Sequence, residues 1–328
     1  MTELAKKLSA DVDARRQHSV ALRRWLHRHP ELSFNEAETA ARVVAEFERL
    51  GIPCAYPGPG GGVIGRLATD PALPTIALRA ELDALPGSDL ADPAYRSIYS
   101  DRMHACGHDA HMTMVLGAAA TLAESAPEGN VVFIFQPAEE RGGGSRVMID
   151  AGALEGVSAI FGGHVTHEWP TGKIMIRRGA MTAQSDRFYI TVKGKGGHGA
   201  RPHEAIDAVV IASLLITTLQ TLVSRQTNPV HPSVITVGKI EAGTAPNVIA
   251  ESARLEGTIR TTFPDTRDHI HKGIRRMVEA MGELHDAEVH LELSEGYPPV
   301  INTDAEVDLV RECVRSLYGE DALRTSPH

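Results

Sequence analysis

The chain has 328 residues, 42% hydrophobic and 23% charged, with apolar content enough to fill one large core or two ordinary ones. Its 42 acidic residues outnumber 33 basic ones, a formal net charge of −9 that argues against a broad electrostatic surface for nucleic acid or anionic lipid. Three widely spaced cysteines, Cys54, Cys106 and Cys313, argue against a disulfide framework and for a reducing compartment, the cytoplasm; the first residues hold no apolar signal core.

In chain order, "LHRHPELSFNEAETAARVVAEFERLGIP" predicts a helix. Pro30 opens it, Ser33 with Glu36 offers a capping box, and Ala37, Ala40, Val43, Val44 and Phe47 follow at helical spacing until Gly51 and Pro53. The apolar runs 75–80 and 131–136 read as strands, separated by a small-residue helix over 111–125, and this alternation predicts an α/β layer. After Gly179 the order becomes strand, long helix (202–224), two strands, helix (266–284), strand, which is a βαββαβ unit of ferredoxin-like type. It reads as an insertion, because 298–319 returns to a helix of the first kind. The expected domains are a catalytic α/β domain in two parts, 1–183 and 298–328, around an inserted domain, 184–297. The uncharged run 208–224 is interrupted by Ser, Thr and Gln, which favours a buried or interface helix over a membrane span.

Two stretches match the dinucleotide pattern G-x-G-x-x-G. "GGGVIG" (60–65) follows a Pro-rich segment and leads into a strand, so it predicts a hairpin loop. "GKGGHG" (194–199) is separated from its helix by Ala200 and Arg201 and lacks the acidic residue expected further on. Neither predicts a bound nucleotide.

The chemistry concentrates in four places. In "MHACGHDAH" (103–111) the C-x-H spacing puts Cys106 and His108 on one side of an extended segment, where thiolate and imidazole converge on a metal. "QPAEERGGG" ends a strand in Glu139 and Glu140 before glycines that allow a sharp turn; adjacent side chains diverge, so one glutamate can bind while the other stays free as a base. "AIFGGHV" places His164 at another strand end, with His167 read as a surface residue, and "LRAELDALPG" supplies Glu81 and Asp83, a carboxylate pair able to orient a metal-bound histidine. For Glu81 a plain surface role has equal weight. Taken singly, Cys106 reads as a small buried hydrophobe and His108 as a satisfied core histidine; the clustering reverses both readings. Cys106, His108, Glu140 and His164 mix soft and hard donors, which suits Zn²⁺ or Mn²⁺ better than Ca²⁺ or Mg²⁺. A competing reading makes Cys106 a nucleophile activated by His104 or His108, with Asp109 as orienter and no metal.

Together with "LRRWLHRHPELSFNE", "GKGGHGARPHEAIDA" and "GTAPNVIAESARLEGTIR", these stretches, in this order, make the chain resemble the amidohydrolase branch of the two-metal aminoacylase and carboxypeptidase group. That group includes hippurate hydrolase, hydrolases of indole-acetyl-amino acids and N-acetyl-diaminopimelate deacetylase. The resemblance implies two divalent metals on Cys106, His108, Glu140 and His164, Glu139 as general base and acid, and Asp83 in support. It implies an inserted domain acting as lid and homodimerisation surface, with His198 polarising the scissile carbonyl and Asn247 and Arg260 holding the carboxylate of an N-acyl amino acid. Without it, His198 reads as a glycine-flanked surface histidine and Asn247 as a turn residue after Pro246. Two departures are visible. Glu81 stands where the group has aspartate, a longer carboxylate expected to shift its contacts without abolishing them. The family pattern also runs beyond "ALRTSPH", through an acidic segment, to a last metal-binding histidine for which His328 is misplaced; this leads to the alternative of a degenerate binder with an incomplete second metal site.

Overall fold

The computed structural model describes residues 3–90, 94–125 and 127–324. His328, with the last residues of the expected 298–328 segment, lies outside the described residues. Two compact units are formed, Met1–Met175 with Leu309–Arg324, and Ile176–Asp308.

The first unit opens with α1 (Glu3–Arg28), a helix the sequence analysis did not foresee, anchored through buried Leu22 and Leu26. It ends at the His29–Pro30 step because proline disfavours helical backbone in the residue before it. The helix expected to open at Pro30 begins only at Ala37. This helix, α2 (Ala37–Leu50), closes on Gly51 at φ +69, as its glycine predicts. The capping box does not form, since Ser33 and Glu36 are committed elsewhere; instead the Glu31 carboxylate accepts the N–H groups of Glu38 at 3.1 Å and Thr39 at 2.7 Å.

The sheet of this unit comprises β1 (Cys54–Ala55), β2 (Val63–Leu67), β3 (Thr75–Glu81), β4 (Asn130–Gln136) and β5 (Val157–Gly162), in the order β1-β2-β4-β3-β5. β1 and β2 pair antiparallel, so the glycine run at 60–65 closes a hairpin, as expected. β3 runs parallel to both β4 and β5, with Glu81 opposite Gln136 and Arg79 opposite Gly162. Helix α3 (His108–Ser125) follows β3, and α4 (Gly144–Asp150) follows β4. The core joins Phe47 of α2 to Phe133 and Phe135 of β4, with ring centroids 5.8 and 5.6 Å apart. Burying each such ring contributes roughly 1.5–3 kcal/mol.

The second unit carries a four-stranded antiparallel sheet with a core of its own. Its strands are β6 (Gln184–Lys193), β8 (Ser233–Ala242), β10 (Ser252–Thr261) and β11 (Glu288–Ser294), ordered β8-β10-β6-β11; a small ribbon pairs β7 (Gly197–His198) with β9 (Val248–Ile249). With α5 (Ala208–Thr221) and α6 (Pro264–His285) the order is βαββαβ. Helix α5 begins at Ala208, six residues later than Pro202, because the Asp207 carboxylate caps it by accepting the N–H groups of Val209 at 2.9 Å and Val210 at 3.3 Å; 202–204 is a separate single turn. Ile211, Leu215 and Leu219 of α5 pack against Phe188, Ile190 and Leu255 of the sheet, which explains its uncharged run as a core helix. Helix α7 (Asp304–Tyr318) leads the chain back.

Candidate metal centre

The carboxyl ends of β3, β4 and β5 lie side by side, where open α/β sheets hold ligands. Asp83 follows β3, Glu139 and Glu140 follow β4, His164 follows β5, and His108 is the first residue of α3.

Asp83 is fully buried and organises this edge. Its Oδ1 accepts the N–H of Glu139 at 3.1 Å; its Oδ2 accepts the N–H of Glu140 at 3.0 Å and the Ser33 hydroxyl at 2.7 Å. Burial opposes its charge, but His108, Ser33 and the two backbone donors outweigh burial and hold its carboxyl below the usual carboxylate range. Ala138, at φ +45, turns the chain so that both N–H groups face this carboxylate, and donates its own N–H to Glu36 Oε1 at 2.8 Å. Gly142 and Gly143, at φ +76 and +100, complete the sharp turn the glycines predict.

His108 donates from Nδ1 to the Asp83 carbonyl at 2.7 Å, which leaves Nε2, 3.9 Å from Glu140 Oε1, free to hold a metal. Burial lowers its pKa, yet the interactions with Asp83, Cys106 and Glu81 prevail and push it up to about 11. His164 directs Nδ1 at the Val165 carbonyl, 2.6 Å away, and Nε2 at Cys106 Sγ, 3.3 Å away. One donor atom each from Cys106, His108 and His164 lies within 4.8 Å of the others, and the same holds for His108, Glu139 and Glu140. Glu140 Oε1 is buried without a hydrogen-bond partner, the condition of a ligand atom awaiting a cation. The donor set therefore fits divalent metal.

Three local expectations are corrected. Cys106 and His108 do not share an extended segment; the chain bends at Cys106 and Gly107, where φ is +94, into helix α3, which begins at His108, and the two donors still lie within 4.8 Å. Glu139 and Glu140 do not diverge as strand neighbours do, because they lie in a turn and both reach the vicinity of His108. They differ in environment instead: Glu140 is half-buried, whereas Glu139 is exposed, its pKa raised by desolvation first and by the Glu140 carboxylate second. Glu81 is no surface residue; it is buried, bonded to Arg79, and 2.8 Å from His111 Nδ1.

Of the metal-free thiol arrangement, His108 meets Cys106, but His104 and Asp109 do not join them. His104 is buried with neither ring nitrogen bonded, and burial pushes its pKa down to about 4. Asp109 faces His27 at 3.0 Å and Arg23 at 3.2 Å, so it orients neither candidate base. His167 is exposed, as expected.

The second unit holds the other three candidates, all exposed. His198 pairs with Val248 across β7 and β9, next to Asn247, whose carbonyl accepts the N–H of Gly199 at 2.9 Å. The His198 Nδ1 accepts the N–H of Ala200 at 3.1 Å, so the neutral ring carries its proton on Nε2 and can donate it outward. Arg260 donates to the Ser185 hydroxyl.

Sequence reasoning passed over Ser33 and Glu36, read as a helix cap, and gave His111 no role. The signal was present, since all three lie inside stretches that carry the family resemblance, "LRRWLHRHPELSFNE" and "MHACGHDAH".

Comparison with known proteins agrees with this geometry. The chain is 41% identical over 322 residues to a Bacillus subtilis (strain 168) protein named as an amidohydrolase, YhaA, covering 97% of this chain and 81% of that one. It is 41% identical over 292 residues to the IAA-amino acid hydrolase ILR1-like 4 of Arabidopsis thaliana, covering 87% of this chain and 66% of the plant protein. Among solved structures, the Bacillus subtilis YXEP protein, described as a dinuclear metal binding peptidase from the M20 family, superposes with a TM-score of 0.82 at 33% identity, covering 96% of this chain and 84% of that one. A profile of peptidase family M20/M25/M40 matches residues 77–328, and the chain belongs to that family.

Proposed function

We propose that the chain hydrolyses the amide bond of N-acyl amino acids, using two divalent ions, Mn²⁺ or Zn²⁺, held by Cys106, His108, Glu140 and His164. The observation that carries this reading is the contrast within the glutamate pair: Glu140 keeps a buried, partnerless oxygen beside His108, while Glu139 stays exposed with a raised pKa. Divalent ions at such a donor set supply Lewis-acid polarisation of the amide carbonyl and acidify water.

The protein's own groups do the rest. Glu139 takes the proton of the attacking water and returns it to the leaving nitrogen as the C–N bond breaks, giving a carboxylic acid and a free amino acid. Asp83 fixes the backbone from which Glu139 and Glu140 project. His198 Nε2–H polarises the scissile carbonyl, and Asn247 with the planar fork of Arg260 holds the substrate carboxylate. The name of the Arabidopsis relative, an IAA-amino acid hydrolase, supports an amide-linked amino acid as substrate class. The exposed Val209, Val210 and Leu214, on the side of α5 away from its core, support a homodimer formed through the second unit.

The test is release of free amino acid from a panel of N-acyl amino acids by metal-loaded protein and by Glu139→Gln. The variant is expected to keep its metal and lose turnover by about 10²–10⁴-fold. Unchanged turnover would remove Glu139 from the mechanism, and binding of the panel without hydrolysis would return the degenerate-binder reading.

A further inference from the structure

A third group of metal-competent atoms, from Glu81, His108 and His111, lies within 4.8 Å and is wholly buried. Both ring nitrogens of its His111 are already committed, so that residue points to a different role. His108 Nδ1 is taken by the Asp83 carbonyl, and His111 is bonded at both ring nitrogens: Nδ1 lies 2.8 Å from Glu81 Oε2, and Nε2 accepts the N–H of Val165 at 3.0 Å. A backbone N–H can only donate, so Nε2 must offer its lone pair and the ring proton must sit on Nδ1, facing Glu81. Glu81 is held in turn by Arg79, whose Nε and Nη2 also reach Gln136 Oε1 at 3.0 and 2.6 Å.

Val165 is the link to the metal centre. Its carbonyl accepts from His164 Nδ1, the contact that turns His164 Nε2 toward Cys106. The His111 ring also meets the His164 ring edge-on, with centroids 4.6 Å apart at 66°. On its other side Val165 packs against Gly107, where φ is +94 and an added Cβ would lie 2.3 Å from Val165 Cγ2. His164 itself is exposed and follows a strand end, so its aim depends on what holds Val165.

We propose that His111 is a positioning residue: by accepting the Val165 N–H in the tautomer set by Glu81, it fixes the peptide that aims His164 at the metal. This rests on the reading of His164 as a metal ligand. It also gives Glu81 its task, since the carboxylate that departs from the family pattern reaches His111.

The test compares Co²⁺ binding by wild type, His111→Asn and His111→Gln, reading affinity by chelator competition and the thiolate-to-cobalt and d–d absorption bands. Asparagine keeps a donor near Glu81 but no acceptor for Val165; glutamine can place its oxygen at the Nε2 position. His111→Asn is expected to lose affinity by about tenfold to a hundredfold with altered bands, and His111→Gln to stay close to wild type. Wild-type affinity and bands in His111→Asn, or equal losses in both variants, would overturn the proposal. No cobalt binding by the wild type would overturn the metal reading itself, and this inference with it. A second measurement needs no variant. In ¹⁵N-histidine spectra of the wild type, His111 is expected as the Nδ1–H tautomer before and after Zn²⁺; a Zn²⁺-induced shift of its Nε2 would mark a ligand and overturn the proposal.

Discussion

At the scale of single residues, His108 couples the metal centre to pH. In the metal-free protein its pKa is pushed up to about 11, so the imidazole is protonated across the neutral range, with Nε2 directed at Glu140. A metal requires the neutral ring, so its uptake must release that proton. The sign follows: the imidazolium's stabilisation of the metal-free protein is full below the ordinary histidine value, shrinks as pH rises above it and is gone above about 11. Metal affinity should therefore rise about tenfold per pH unit through the neutral range. Calorimetric titration with Zn²⁺ in buffers of different ionisation enthalpy should show at least one proton released for each ion that His108 binds. A heat that does not vary with the buffer would show that His108 is neutral before the metal arrives.

Individual elements show what the sequence could and could not reveal. Strand ends carrying Asp83, Glu139, Glu140 and His164 were legible because short apolar runs stop at glycine, proline or charge. The roles of Ser33 and Glu36 were not, because a capping box and a long-range bond use the same residue types, and only tertiary contact decides between Glu36 capping α2 and Glu36 accepting from Ala138. The link between β6 and α6 was equally hidden. Asp186 of β6 is buried and accepts from Arg267 Nε at 2.8 Å and Nη2 at 2.7 Å, from the N–H of Gly296 at 2.8 Å, and faces His271 Nε2 at 2.8 Å. Burial opposes its ionisation, yet these donors hold its carboxyl below the usual range. A depressed carboxylate contributes stability that is present above its unfolded value, about 3.9, and is lost as pH falls through the folded value. Asp186→Asn leaves Arg267 only the exposed Glu295 carboxylate, 3.3 Å away, as counter-charge and should cost about 3 kcal/mol at pH 7 in urea unfolding. The difference from wild type should shrink below about pH 4. A deficit independent of pH would assign the loss to packing.

Across the whole molecule, the cores are separate. The cluster around Phe188, Leu215 and Leu255 draws on residues 188–293, whereas that around Phe47, Phe133 and Leu116 draws on residues 22–135; among the described residues no side chain is shared. Every candidate metal ligand, Cys106, His108, Glu140 and His164, falls in the first unit, Met1–Met175 with Leu309–Arg324. A ligand that binds only the folded form stabilises the cooperative unit that contains its site, by about 2.7 kcal/mol at one hundred times its dissociation constant. Scanning calorimetry should then resolve two transitions, of which Mn²⁺ or Zn²⁺ raises one, by on the order of 5–10 °C. The unmoved transition should belong to Ile176–Asp308, and the Asp186→Asn substitution should lower that one alone. If metal raised both transitions equally, the two cores would form one cooperative unit, and the metal centre would stabilise a fold larger than the sheet that carries it.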